Sequence, residues 1–80
     1  MNTHYTSESL SIVIPIYNEE EILEGSANQI IAICEKTKVE YEIILVENGS
    51  TDKTAGIAAN LSELNPNLMV INLTTPNYGN

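Results

Sequence analysis

Two polar clusters hold the groups of this chain that could do chemistry: Tyr17-Asn18-Glu19-Glu20-Glu21 and Glu47-Asn48-Gly49-Ser50-Thr51-Asp52. A carboxylate accepts hydrogen bonds from ribose hydroxyls and base N–H groups, and an amide both accepts and donates. Tyr17 offers a ring on which a base could stack, although a tyrosine closing a core strand fits as well. Glu47 ends an apolar run. In open parallel sheets ligands bind just beyond the carboxyl ends of the strands, where acidic residues hold ribose hydroxyls. Two such clusters at one sheet edge point to a nucleotide site.

Each cluster also has a purely structural reading. Asn18 with Glu21 three residues later reads as a capping box, with Glu19, Glu20 and Glu21 in the positive first turn of a helix. Ser50 or Thr51 reads as the cap of a second helix, with Gly49 supplying an unusual φ in a strand-to-helix turn. Asn48-Gly49 resembles a type I′ hairpin turn, but Thr51 to Leu64 carries helix formers without alternation, which rejects a hairpin.

Other chemistries are excluded by what surrounds these clusters. Gly49 and Gly56 do not make G-x-G-x-x-G, and no Gly-Lys-Ser/Thr stands at phosphate-loop spacing. His4 is the only histidine and Cys34 the only cysteine. No Ser/His/Asp triad, zinc cluster or internal disulfide can therefore be assembled. Cys34 reads as a small core hydrophobe. Three lysines, no arginine and a net charge of −8 remove the basic surface that nucleic acid or an anionic membrane requires. The N-terminus has neither the basic nor the apolar region of a secretory signal. No apolar run reaches the ~20 residues of a membrane span.

The elements that must position the clusters are three strands and two helices. Apolar, β-branched runs predict strands at 10–17, 41–47 and 68–73, the first read as covered on both faces. Pro15 is expected to end its pairing, since proline cannot donate to the ladder. Helical spacing predicts helices at 19–37 and 51–64. The first buries Leu23, Ala27, Ile30, Ile31 and Cys34; the second packs through Ala55, Ala58, Ala59 and Leu61 or Leu64, with Gly56 letting it approach the sheet. Asn65-Pro66-Asn67 ends the second helix. The fold class is α/β: a βαβαβ, Rossmann-like parallel unit. Residues 1–9 read as a flexible leader. Residues 10–80 read as the front portion of a larger domain, because the most apolar strand is left at an edge open to self-association.

Ser11-Ile-Val-Ile-Pro-Ile-Tyr-Asn-Glu-Glu20, followed by Ile44-Leu-Val-Glu-Asn-Gly-Ser-Thr-Asp-Lys-Thr54 and by Asn77-Tyr78-Gly79, resembles the start of family 2 glycosyltransferases of the GT-A fold. The resemblance is to the branch of dolichyl- and polyprenyl-phosphate mannosyl- and glucosyltransferases. It implies inverting hexosyl transfer from a nucleotide-diphosphate sugar to a polyprenyl phosphate or glycan. Pro15, Tyr17 and Glu19 would line the nucleotide pocket, Glu47 and Asn48 would stand at the family's acidic pair, and Gly49 and Ser50 would follow. The second acid of that pair, which contacts the base, is here Asn48, an uncharged substitute. The family's Asp-x-Asp motif, which holds Mg²⁺ or Mn²⁺ against the diphosphate, is absent: Asp52 is the only aspartate. The acceptor base is absent too. The resemblance therefore implies a donor-nucleotide half that is inactive alone, with no metal ligands of its own. Its place would be the cytoplasm, at the inner membrane face in the complete protein. A truncated, non-catalytic α/β interaction module is the competing reading.

Overall fold

The computed structural model describes residues 9–73. The elements run β1 (Ser9–Ile16), α1 (Leu23–Thr37), β2 (Glu40–Glu47), α2 (Thr54–Leu64) and β3 (Leu68–Asn72). All three strands are parallel in the order β1-β2-β3, which is the expected βαβαβ unit. Ser9, assigned to the leader, instead opens β1; the rest of the proposed leader and the segment bearing Asn77-Tyr78-Gly79 lie outside the described residues.

Register places Ile12, Ile14 and Ile16 beside Ile43, Leu45 and Glu47, and these beside Leu68, Val70 and Asn72. Successive strand residues point to opposite faces, so these positions share one face. Ile16, Ile43, Leu45 and Leu68 are buried there in a single cluster with Leu23 and Ala27 of α1 and Ala58 and Leu61 of α2. Both helices therefore cover the same side. Truncating a side chain as enclosed as Leu45 to alanine costs about 2–5 kcal/mol.

The other side corrects the expectation that β1 is covered on both faces. Val13 is 60% exposed, and Met69 and Ile71 are exposed with it. The first strand's nearly continuous apolar run does not separate one covered face from two, because Val13 is as hydrophobic as its buried neighbours. Pro15 does not end the pairing either. It stands opposite Val46, and Ile16 stands opposite Glu47. The Asn48 N–H donates to the Ile16 carbonyl at 3.1 Å, so Ile16 turns its backbone groups toward β2. Pro15, one residue back, turns its missing donor to the open edge, where proline is tolerated.

Both helices begin later than expected. α1 starts at Leu23, not 19, and Asn18 is not its cap. Asn18 has φ 50, and the Glu19 carbonyl accepts from Ile22 and Leu23 in a separate turn ahead of the helix. Of the acids, only Glu24 falls in the first helical turn. α2 starts at Thr54, and neither Ser50 nor Thr51 caps it. In both places the polar side chains are taken by long-range partners, which local capping rules do not weigh.

The stripe on α1 is as expected, with Leu23, Ala27 and Cys34 buried and Ile30 and Ile31 half-buried. On α2, Ala58 and Leu61 are buried but Ala55, Ala59 and Leu64 are exposed. Gly56 is also exposed, and a Cβ there would meet nothing within 4 Å; no close approach to the sheet requires it. The fully buried Thr54 takes a packing position instead. Asn65 ends α2, its backbone N–H and its side-chain amide both donating to the Leu61 carbonyl, at 3.0 and 2.9 Å. At the far end of the sheet the Tyr41 hydroxyl donates to Glu35 at 2.5 Å, tying β2 to α1.

Candidate functional site

At the carboxyl ends of β1 and β2 the two polar clusters meet. Three backbone N–H groups of the first loop donate to side chains of the second loop and of the first residue of α2: Asn18 to Ser50 Oγ at 2.9 Å, Glu19 to Thr54 Oγ1 at 2.6 Å and Glu20 to Asp52 Oδ2 at 3.3 Å. The second loop answers in kind. Thr51 N–H donates to Asn18 Oδ1 at 2.8 Å, Asp52 N–H to the same oxygen at 3.3 Å, and Lys53 N–H to Glu20 Oε1 at 2.9 Å. These exchanges satisfy backbone donors that the turns and the α2 N-terminus would otherwise leave unpaired.

Beneath the junction lies Glu47, only 3% exposed. One carboxylate oxygen accepts from the Ser50 hydroxyl at 2.9 Å and the other from the Ser50 backbone N–H. Burying a carboxylate is costly unless hydrogen bonds replace its hydration; Ser50 supplies them. Between Glu47 and Ser50 the chain turns through Asn48 and Gly49, and Gly49 has φ +74. Glycine adopts that conformation without penalty, as the strand-to-helix reading of this turn requires.

The sequence-predicted residues therefore divide. Tyr17, 53% exposed, and the exposed Asn48 and Gly49 stand at the rim, with Glu19 and Ser50 half-buried beside them. Glu47 is turned inward and committed to Ser50. Pro15 lies on the sheet face away from the helices. Asn18, Glu20, Asp52 and Thr54 form most of the junction; the first three belong to the two polar clusters but carry no assigned role in the nucleotide pocket, and Thr54 lies outside both clusters. Polar residues at both strand ends were the available signal, but capping motifs accounted for them.

A cleft of about 320 Å³ opens beside the junction, lined by Asn18, Glu19, Glu20, Glu21, Ile22 and Asp52. Its four carboxylates repel a diphosphate. Desolvation raises the Asp52 carboxyl, but hydrogen bonds from the Thr54 side chain and backbone and from the Glu20 backbone outweigh it and hold the group below the usual range. Asp52 is therefore an anion whose two oxygens are already occupied by Thr54 N–H and Glu20 N–H. Among the described residues no group of three His, Cys, Asp or Glu side chains could hold a metal ion, and none of their helices is long and apolar enough to cross a membrane.

An open parallel sheet with its polar loops joined at the strand ends defines a Rossmann-like α/β unit. Residues 11–79 match the glycosyl transferase family 2, and the chain belongs to that family. It is also similar to undecaprenyl-phosphate 4-deoxy-4-formamido-L-arabinose transferases. That of Photorhabdus laumondii is 43% identical over 72 residues, 90% of this chain and 22% of the relative. Those of Sodalis glossinidius and Proteus mirabilis are 38% and 35% identical over 79 residues, 99% of this chain and 24% of each relative. The chain thus spans about a quarter of the length of the curated relatives it matches.

Proposed function

We propose that residues 10–80 are the donor-nucleotide portion of a larger glycosyltransferase domain, one that moves a sugar with inversion from a nucleotide diphosphate to a polyprenyl phosphate. The carrying observation is the junction itself, which fixes two loops at the carboxyl ends of parallel strands and leaves Tyr17 and Asn48 at its rim. Tyr17 would stack on the base and the Asn48 amide would hydrogen-bond to its edge, with Pro15, Glu19, Gly49 and Ser50 shaping the pocket and Glu47 supporting it from below. The relatives' names support a polyprenyl phosphate acceptor, and with it a place at the inner membrane face.

A divalent cation, Mg²⁺ or Mn²⁺, would neutralise the donor diphosphate in such an enzyme, but the residues described do not fit one. No three of their His, Cys, Asp or Glu side chains converge on one point, and Asp52 and Glu20 are turned to backbone N–H groups of the junction. The metal ligands and the acceptor base are assigned to other parts of the complete protein. The exposed Val13, Met69 and Ile71 support a larger domain as well. The open edges of β1 and β3 support self-association when the segment is isolated.

Calorimetric titration of the full-length protein with uridine and guanosine diphosphates and their sugars, with and without Mn²⁺, tests the proposal. Binding of a nucleoside diphosphate that weakens on Tyr17→Ala and Asn48→Ala is the expected result. Affinity untouched by both substitutions would refute the site.

A further inference from the structure

Asn18 has the shape of a helix cap in the sequence and a different role in the structure. It lies ahead of the separate turn that precedes α1, with left-handed backbone (φ 50). Its side-chain oxygen faces the second loop, 33 residues away, and receives the N–H groups of Thr51 and Asp52 together with the Thr51 hydroxyl at 3.4 Å. Its own N–H reaches Ser50 Oγ, and Ser50 in turn holds the buried Glu47. One residue thus grips the 50–52 segment through three successive positions, immediately after Asn48 and Gly49.

We propose that Asn18 is a positioning residue for the nucleotide site: its side-chain carbonyl sets the course of the 48–52 turn and so the place of the Asn48 amide. The inference rests on the proposed nucleotide site. Gly49 makes the turn permissive, since its φ and open surroundings impose no single path on the chain. The contacts from Asn18 remove that freedom. Two features are required together, a left-handed backbone and a side-chain acceptor of this length. Asparagine and aspartate satisfy both, and glycine only the first.

The test compares Asn18→Gly and Asn18→Asp in the full-length protein, with uridine and guanosine diphosphates as probes. Asn18→Gly keeps the backbone and loses the acceptor. Its affinity should fall about tenfold, the loss expected for one to two hydrogen bonds, and amide exchange should accelerate at Thr51 and Asp52. Asn18→Asp should keep the exchange at Thr51 and Asp52 near wild type, a rescue that general destabilisation does not produce. Because its added charge repels a diphosphate, its affinity is read with the uncharged nucleosides uridine and guanosine and should stay near wild type. Wild-type affinity in a folded Asn18→Gly protein overturns the role of Asn18 alone. If Asn18→Gly fails to fold, Asn18→Asp decides: retained nucleoside affinity supports the role, and lost nucleoside affinity in a folded protein overturns it. A wild-type protein that binds neither diphosphate refutes the site itself, and with it the role.

Discussion

Replacing Glu47 separates a residue that touches nucleotide from one that builds the turn. Its carboxylate is buried and accepts two hydrogen bonds from Ser50. Bonds to a charged group contribute about 1.5–3 kcal/mol each. Glu47→Ala removes both, and the relief of carboxylate desolvation offsets part of the loss, leaving about 2–4 kcal/mol of destabilisation. That is a large share of the ~5–15 kcal/mol of a typical domain. Glu47→Gln keeps the shape and one acceptor and should cost about 1 kcal/mol. The assay is a double-mutant cycle with Ser50→Ala, read by chemical denaturation. Once Glu47 is gone, Ser50→Ala can lose only the bond from Asn18 N–H, so the two substitutions should couple by about 1–2 kcal/mol. Additivity within about 0.5 kcal/mol, with stability retained in Glu47→Ala and nucleotide affinity lost, would refute the reasoning and make Glu47 a direct ligand.

Gly49→Ala should destabilise by about 1–2 kcal/mol through backbone strain alone, because nothing stands within 4 Å of the added Cβ; an unchanged denaturation midpoint would contradict this. Asp52 has a lowered carboxyl pKa, so the stability it contributes is full above its ordinary value and lost as pH falls through the lowered one. The gap between the denaturation midpoints of wild type and Asp52→Asn should accordingly narrow on acidification from pH 7 to about 3, and a gap constant across that range would count against the assignment. Asn48→Asp replaces an amide that both donates and accepts by a group that only accepts. It should shift the preference between uridine and guanosine diphosphates without abolishing binding, as competition titration would show.

Much of the fold was legible because its signals are local. Apolar runs closed by Glu47 and by Asn65-Pro66-Asn67 marked strands and breaks, and the spacing of Leu23, Ala27 and Cys34 marked a helix face, since helix and strand periods are properties of the backbone. The positive φ of Gly49 was legible too, because only glycine takes it freely. The meeting of the two polar clusters also followed from a rule about parallel sheets. What each residue does there did not. Asn18 and Glu21 matched a capping box, yet the oxygen of Asn18 goes to Thr51 and Asp52. Glu47 read as a strand-end carboxylate free to hold ribose hydroxyls, yet strand parity buries it and both of its oxygens accept from Ser50. The face of β1 left uncovered depends on where both helices pack. Hydrogen bonds spanning more than thirty residues and the side of a sheet that helices choose are properties of the assembled chain. Local sequence carries the donors and acceptors; only the tertiary structure decides which of them meet.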